Sequence, residues 1–108
     1  MISLIPRGST RWEVEEDYKV VVLDNIIEIP KGFITDLASI PRVMWLFLPP
    51  FGRYTEASVV HDYLYTSSDL PRNKCDEIFF TLMIRNNVGY FTAKMMYYSV
   101  RFFGWMHY

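Results

Sequence analysis

Three absences narrow the classes of protein to which this sequence can belong: it has one cysteine, almost no net charge and no long hydrophobic run. A single cysteine cannot form a disulfide within the chain, so the sequence does not favour an oxidising compartment. Lys and Arg number 11 against 12 Asp and Glu, a net charge of −1, which excludes global electrostatic attraction to nucleic acid. The longest apolar run, VMWLFLPPF, is shorter than the roughly 20 residues of a membrane-spanning helix and contains two prolines. We therefore expect no nucleic-acid partner and no transmembrane segment.

The N-terminus also lacks the pattern of a secretory leader. The segment MISLIPRGSTR has no long apolar core before Pro6 and Arg7, so we expect no signal peptide.

Aromatic residues are abundant, at 18% of the chain, with eight Tyr, eight Phe and three Trp. Hydrophobic residues reach 51% and charged residues 21%, which is the composition of a folded protein and not of a disordered one. A chain of 108 residues is of ordinary size for one domain with its own core. We expect a single domain over residues 1–108, with aromatic side chains suited to a core, an interface or a membrane surface.

The first third of the chain has the pattern of β-structure. Residues 11–34 contain β-branched runs separated by turn signals at 23–26 and 30–32, which predicts a β-meander. After this region the spacing of the hydrophobic residues changes from that of strands to that of helices. Ser39 is a plausible N-cap and Pro41 fits a first turn, which predicts a short helix over 40–48.

Three longer helices are predicted after Thr55. The first ends near the TSSD segment, where Asp69 is the expected cap of the second, and the second ends at 85–89. The third is predicted from Tyr90 to Phe103, with Gly104 at its C-terminal cap. The apolar stripes at helical spacing are Ala57, Val60, His61, Leu64 and Tyr65, then Cys75, Ile78, Phe79, Leu82 and Met83. The predicted fold class is α+β: a small antiparallel N-terminal sheet followed by three or four helices, two of them an antiparallel pair.

His61 and Asp62 stand side by side on the first of these helices. A short connection to the next helix predicts antiparallel packing, which brings Asp76 within hydrogen-bond reach of the His61 ring, at about 3 Å. A carboxylate on one ring nitrogen fixes the tautomer, so the other nitrogen can take a proton from water. The alternative is a hydrogen-bonded pair that belongs to the core. The residues alone leave both interpretations open.

Asp62 is a candidate ligand for a hard cation. A carboxylate beside the base, with backbone carbonyls from PPFGRY, would suit calcium, which takes oxygen ligands. Two alternatives for cofactors are open, calcium or none.

The segment TDLASIP forms a second group of polar residues, at 35–41. One interpretation is local capping, in which Asp36 or Ser39 accepts backbone N–H bonds and Thr35 closes a turn. The other places Asp36 in the same cleft as His61.

The chain resembles a family of small proteins common in tailed bacteriophages and prophages. The shared motif is T-D-x-A-S-x-P, followed by A-x-x-x-H-D-x-x-Y and then by an Arg and an acidic residue. The likeness covers roughly residues 30–105 and implies a phage origin. The matching residues are Thr35, Asp36, Ala38, Ser39, Pro41, Ala57, His61, Asp62, Tyr65, Arg72 and Asp76.

The segments HDYLY and CDEIF are similar, over about 20 residues, to two helices of calcium-dependent secreted and viral phospholipases. The likeness implies that His61 is the general base, Asp76 orients it, Tyr65 supports the pair and Asp62 binds calcium. The glycine-rich calcium loop of those enzymes is missing here, and only Gly52 lies near its place.

Together these patterns favour a phage-encoded hydrolase with catalytic His61, Asp76 and Tyr65, metal-binding Asp62 and a supporting polar cluster of Thr35, Asp36, Ser39 and Arg72. Its expected substrate is lipid or cell-envelope material. The alternatives are a non-enzymatic virion component, such as a tail or baseplate part, and a protein that binds a host factor. The expected partners are phage structural proteins or envelope lipid, and the expected location is the host cytoplasm or the virion.

Overall fold

The computed structural model describes residues 2–8, 11–35, 55–67 and 70–103. An N-terminal β region precedes three helices in this part of the chain, which confirms the predicted α+β class. The elements are β1 (Leu4–Pro6), β2 (Trp12–Val14), β3 (Tyr18–Val22), β4 (Asn25–Ile29), β5 (Ile34–Thr35), α1 (Thr55–Ser67), α2 (Arg72–Arg85) and α3 (Tyr90–Phe103).

The strands form two antiparallel sheets. One has the order β1-β2-β5, with Trp12 opposite Thr35, and the other is the β3-β4 hairpin. The predicted meander is therefore wrong, because β2 pairs with β5 across the hairpin and not with β3. Turn signals mark where the chain reverses, but they do not say which strands then meet.

The hairpin turns where the sequence predicts a turn. Leu23 and Asp24 have φ of 48° and 62°, and positive φ at both central residues is typical of the type I′ turn that suits a two-residue hairpin. The strands alternate as a half-buried hairpin should: Val20 and Val22 face the core, and Val21 faces out.

Helices α1 and α2 form the predicted antiparallel pair. Glu56 at the start of α1 bonds Asn86 after the end of α2, while His61 and Tyr65 further along α1 both reach Asp76 near the start of α2. The predicted apolar stripe of α2 is completely buried, and in the stripe of α1 every position except Tyr65 is buried.

The predicted break at 85–89 has a clear backbone cause. Val88 N donates to Met83 O at 2.9 Å and Asn87 N donates to Ile84 O at 3.1 Å, with Asn87 at φ 64°. These paired bonds form a Schellman motif, in which Asn takes the left-handed position usually held by Gly. The helices α2 and α3 are thus separated by a tight turn.

The N-terminus of α2 differs in detail from the prediction. Pro71 is the N-cap residue, one position before the first turn, and its side chain makes no capping hydrogen bond. Asp69, Gly104 and the predicted helix over 40–48 lie outside the described residues. None of the helices in the described part of the chain is long and apolar enough to cross a membrane.

Candidate functional site

The helix pair brings His61 and Asp76 into direct contact. Nε2 of His61 lies 2.6 Å from Oδ1 of Asp76, so the predicted contact is confirmed. Both side chains are buried, with exposed fractions of 2% and 0%. Since a carboxylate accepts hydrogen bonds, Nε2 is the donor, and this tautomer carries its lone pair on Nδ1.

Two aromatic rings pack against the imidazole. The Tyr65 ring centroid lies 4.1 Å from that of His61, and the Phe79 centroid lies 4.8 Å from it. Tyr65 comes from the next turn of α1 and Phe79 from the next turn of α2, so helical spacing places both rings beside His61. The orientation of His61 is therefore fixed by packing as well as by its hydrogen bond.

Asp76, on α2, accepts hydrogen bonds from both of the other helices, α1 and α3. Tyr65 Oη donates to Oδ1 at 2.5 Å, and Arg101 Nη1 in the last turn of α3 donates to Oδ2 at 3.0 Å. Burial raises the pKa of Asp76. Hydrogen bonds from His61 and Tyr65, the positive charge that His61 carries when it is protonated, and the bond from Arg101 lower it by more. The pKa of Asp76 therefore lies below its ordinary value. Asp76 is therefore held as a carboxylate.

Arg72 contributes to this site indirectly. Its Nη2 donates to the backbone carbonyl of Arg101 at 3.2 Å, which ties the first turn of α2 to the last turn of α3. This contact helps to hold the chain that carries the Arg101 guanidinium. The structure thus places Arg72 behind Arg101 and not in contact with the His61–Asp76 dyad itself.

Asp62 faces the β region. Oδ2 of Asp62 accepts a hydrogen bond of 2.6 Å from the hydroxyl of Thr35, a buried residue of β5. This bond joins the end of the β1-β2-β5 sheet to α1, one residue from His61. Two members of the predicted set, Thr35 and Asp62, are therefore brought together.

The donor set for calcium in the described part of the chain is small. Across residues 2–8, 11–35, 55–67 and 70–103 no group of three or more His, Cys, Asp or Glu side chains could hold a metal ion. Asp62 offers one carboxylate, and one of its oxygens already accepts the Thr35 bond. One carboxylate does not make a calcium cage. Calcium binding stays a prediction.

One buried polar atom near the His61–Asp76 pair has no hydrogen-bond partner among the described residues. Ser58 on α1 is fully buried, and its hydroxyl oxygen bonds no atom in the part of the chain that the structure describes. Ser58 stands one turn before His61 and Asp62, on the side of α1 that carries them. A buried hydroxyl without a partner is the kind of group that binds an ordered water.

The predicted site residues thus divide into three groups. His61, Tyr65 and Asp76 form one cluster, which Arg72 adjoins through Arg101. Thr35 and Asp62 form a second beside it, and Asp36 and Ser39 lie outside the described residues. The sequence interpretation missed Arg101. A signal for it exists, because Ala93, Met96 and Val100 mark the buried face of α3, and Arg101 follows about 100° beside that face.

Fold and site together define the class: an α+β domain with a buried His–Asp pair between two antiparallel helices, held by tyrosine and arginine. The sequence matches the family described as "Protein of unknown function (DUF1353)" over residues 12–100. The chain belongs to this family, and the match includes every residue of the His61–Asp76 cluster except Arg101.

A bacterial relative carries a similar segment in a longer chain. The uncharacterised protein y4jT of Sinorhizobium fredii (strain NBRC 101917 / NGR234) is 36% identical over 78 residues, which is 70% of this chain. The match covers 23% of that protein, so this chain spans about a quarter of its relative's length. No solved structure matches the chain.

Proposed function

We propose that this protein is a hydrolase in which His61 acts as general base and Asp76 orients it. The observation that supports this proposal is the bond of 2.6 Å between Nε2 of His61 and Asp76, whose carboxylate is held ionised by Tyr65 and Arg101. A carboxylate in this position fixes the tautomer and stabilises the imidazolium that forms during proton transfer. The proposed substrate is an ester or related bond in lipid or cell-envelope material.

The proposed reaction needs one proton acceptor. Nδ1 of His61 accepts a proton from water while the water oxygen attacks the carbonyl carbon of the ester. The bond from that carbon to the leaving alkoxide then breaks, and the alkoxide takes the proton from Nδ1. Asp76 stays ionised throughout, because its lowered pKa favours the carboxylate.

Access to the ring requires movement. His61 is 2% exposed, and the Tyr65 and Phe79 rings pack beside it. Substrate and water therefore reach Nδ1 only when side chains around the ring are displaced on binding, as happens in enzymes whose sites close over the substrate.

The first prediction concerns His61→Gln. The substitution removes the proton acceptor but keeps a polar side chain of similar size, so activity should fall by about 10² to 10⁴. Stability should change by no more than about 1 kcal/mol, because site residues seldom optimise the fold. Release of fatty acid from phospholipid vesicles and of soluble fragments from purified peptidoglycan measure the activity, and thermal unfolding measures the stability.

His107→Gln is the control, since it changes the second of the two histidines in the sequence. Absence of hydrolysis by the parent protein on both substrates, together with a clear drop in the melting temperature of His61→Gln, contradicts the enzyme proposal.

The second prediction concerns calcium. If Asp62 binds the ion with backbone carbonyls, the affinity is low, sub-millimolar at best, because one carboxylate contributes little charge. Calorimetric titration of the full chain should give heat that disappears in Asp62→Asn. If about 10 mM calcium gives no heat and no shift in the melting temperature, the metal is removed from the proposal. The His61 mechanism then stays in place.

Burial of the dyad favours a second candidate, a non-enzymatic component of a phage particle such as a tail or baseplate part. Here His61, Asp76 and Arg101 tie the three helices together and carry out no chemistry. His61→Gln then leaves the Asp76 carboxylate poorly satisfied, which costs about 1–3 kcal/mol and several degrees of melting temperature. The phage origin and a location in the host cytoplasm or the virion stay predictions from the resemblance.

A further inference from the structure

The two carboxylate oxygens of Asp76 are held from two different helices. Oδ1 accepts the bonds from His61 and Tyr65 of α1, at 2.6 and 2.5 Å, and Oδ2 accepts the bond of 3.0 Å from Nη1 of Arg101 on α3. A carboxylate that is bonded at both oxygens is fixed in direction as well as in place. Arg101 therefore helps to keep Oδ1 aimed at the imidazole ring.

Arg101 also brings a permanent positive charge to the His61–Asp76 dyad. The side chains of the dyad are exposed by 2% and 0%, whereas the side chain of Arg101 is exposed by 34%. A guanidinium stays protonated throughout the pH range in which proteins are folded. The charge of Arg101 thus acts on the dyad from its solvent side, and the low dielectric around the buried groups strengthens its effect.

A carboxylate beside an imidazole has two effects, and they oppose each other in a general base. It orients the ring, but its negative charge also favours the imidazolium form, which has no lone pair to accept a proton. A positive charge bound to the same carboxylate cancels much of that negative field at the ring. With Arg101 bonded to Oδ2, Asp76 can orient His61 and still favour the imidazolium less.

The other ionisable side chains around the dyad do not bring a second permanent cation to its carboxylate in the described part of the chain. On α1, Tyr65 bonds the carboxylate itself and Asp62 bonds a hydroxyl of β5. Glu28 of β4 lies on the exposed side of its strand, and β5 has no ionisable residue. The other charged side chains of α2 and α3 have their contacts elsewhere; they are Arg72, Lys74, Glu77, Arg85 and Lys94.

We propose that Arg101 is a positioning residue for His61: acting through Asp76, it lowers the pH below which the ring becomes protonated, and so keeps the ring a proton acceptor. Without the charge of Arg101, the dyad rests as an imidazolium beside a carboxylate, and the base works only at higher pH. The effect on hydrolysis rests on the proposed function. The effect on protonation of the ring does not.

The size of the effect follows from charge and distance. The guanidinium and the ring are separated by one carboxylate, a path of about 8 Å, and at an effective dielectric constant of about 20 a unit charge at this distance shifts a titration by at most about 1.5 pH units. Because Arg101 is one-third exposed, solvent screening reduces this shift. We expect the ring of Arg101→Gln to become protonated about 0.5 to 1.5 pH units above the parent.

Proton NMR of the His61 ring tests the proposal on the full chain. All samples carry His107→Gln, so that His61 is the remaining histidine. The titration midpoint should be higher in Arg101→Gln, whereas Arg101→Lys, which keeps the charge, should return it to within about 0.3 pH units of the parent. If the parent unfolds in acid before the ring is protonated, the pH of unfolding is the upper limit of its midpoint.

Two further variants separate the charge of Arg101 from its contribution to the fold. Citrulline at position 101 keeps the shape and N–H donors of arginine without its charge, so it should raise the midpoint even where Arg101→Gln fails to fold. Arg85→Gln is the matched control, because it removes the same charge from an exposed position at the other end of α2. Its midpoint should equal that of the parent.

Three results would overturn the proposal. The first is an equal or lower midpoint in the uncharged variants, and the second is an equal shift in Arg85→Gln. The third is a shift that Arg101→Lys does not restore, because the guanidinium geometry and not its charge would then be responsible.

The pH dependence of hydrolysis separates this inference from the proposed function. If the parent hydrolyses phospholipid or peptidoglycan, the acid limb of its kcat/KM profile should move with the midpoint in Arg101→Gln. A shifted midpoint without hydrolysis by the parent contradicts the proposed function and supports this inference. Hydrolysis with an unmoved midpoint contradicts this inference alone.

Discussion

Asp76 is the residue on which the site depends. It is fully buried, yet it accepts hydrogen bonds from His61 and Tyr65 of α1 and from Arg101 of α3. An uncompensated buried carboxylate would cost several kcal/mol, whereas one with charged and hydrogen-bonding partners is tolerated. The same bonds that offset burial also keep Asp76 ionised, which is what both the catalytic and the structural interpretations require of it.

The third prediction concerns Asp76 and acid. Its pKa is lowered in the folded protein, so its contribution to stability is present above the ordinary pKa of an Asp and is lost as pH falls through the lowered value. The melting temperature should therefore drop as pH falls below about 4. Asp76→Asn should be less stable than the parent near neutral pH and should show a flatter profile in acid.

Glu77→Gln supplies the control, because it changes the neighbouring carboxylate of α2, whose side chain is 47% exposed. Parallel acid profiles for the parent and Asp76→Asn would show that the carboxylate does not contribute to stability in this way.

At the level of elements, α2 carries both the core and the site. Cys75, Ile78 and Phe79 are completely buried, and Asp76 lies between them with its side chain at the same depth. The Phe79 ring packs against both the core and the His61 ring. Packing of α2 therefore sets the position of the His61–Asp76 dyad. A substitution that changes the packing of α2 should also change the geometry of the dyad.

The fourth prediction compares two phenylalanines on adjacent helices. Phe79→Ala should cost about 3–5 kcal/mol, because it removes a large side chain that is completely buried. Phe91→Ala should cost no more than about 0.5 kcal/mol, since Phe91 is 76% exposed. Urea unfolding of both variants measures the difference. Similar costs for the two would mean that the Phe91 ring is covered in solution.

Across the whole molecule, a second polar network joins the hairpin to the helices. Tyr18 on β3 donates a hydrogen bond to Glu56 at the start of α1, and Asn86 after α2 donates to the same carboxylate at 2.9 Å. Burial, the bond to Glu56 and the charge of Glu56 raise the pKa of Tyr18, and the charge of Arg85 lowers it by less. One carboxylate thus ties the β region to two helices.

The fifth prediction follows from that raised pKa. Protonated Tyr18 contributes stability below the ordinary tyrosine value of about 10, and this stability is lost as pH rises through the raised pKa. The parent should therefore lose stability as pH rises above about 10, and Tyr18→Phe should show a shallower loss. Tyr98→Phe, at a tyrosine that is 60% exposed, should follow the parent profile.

Local patterns were enough to predict most of the elements. Helical period and capping chemistry act within a few residues. They were enough to predict the apolar stripes of α1 and α2, the ends of these helices and the bounds of α3. The contact between His61 and Asp76 was predictable for the same reason. A short connection forces α1 and α2 to pack antiparallel, and this brings two nearby positions of the chain together.

Longer-range contacts were decided by the tertiary structure. The pairing of β2 with β5, the bond from Thr35 to Asp62 and the arrival of Arg101 at Asp76 each join segments at least 20 residues apart. No local preference encodes such a meeting, because it depends on how whole elements bury their apolar faces together. For the same reason, the sequence predicts that α3 is a helix, whereas only the packing of α2 against it shows which of its two apolar faces remains outside.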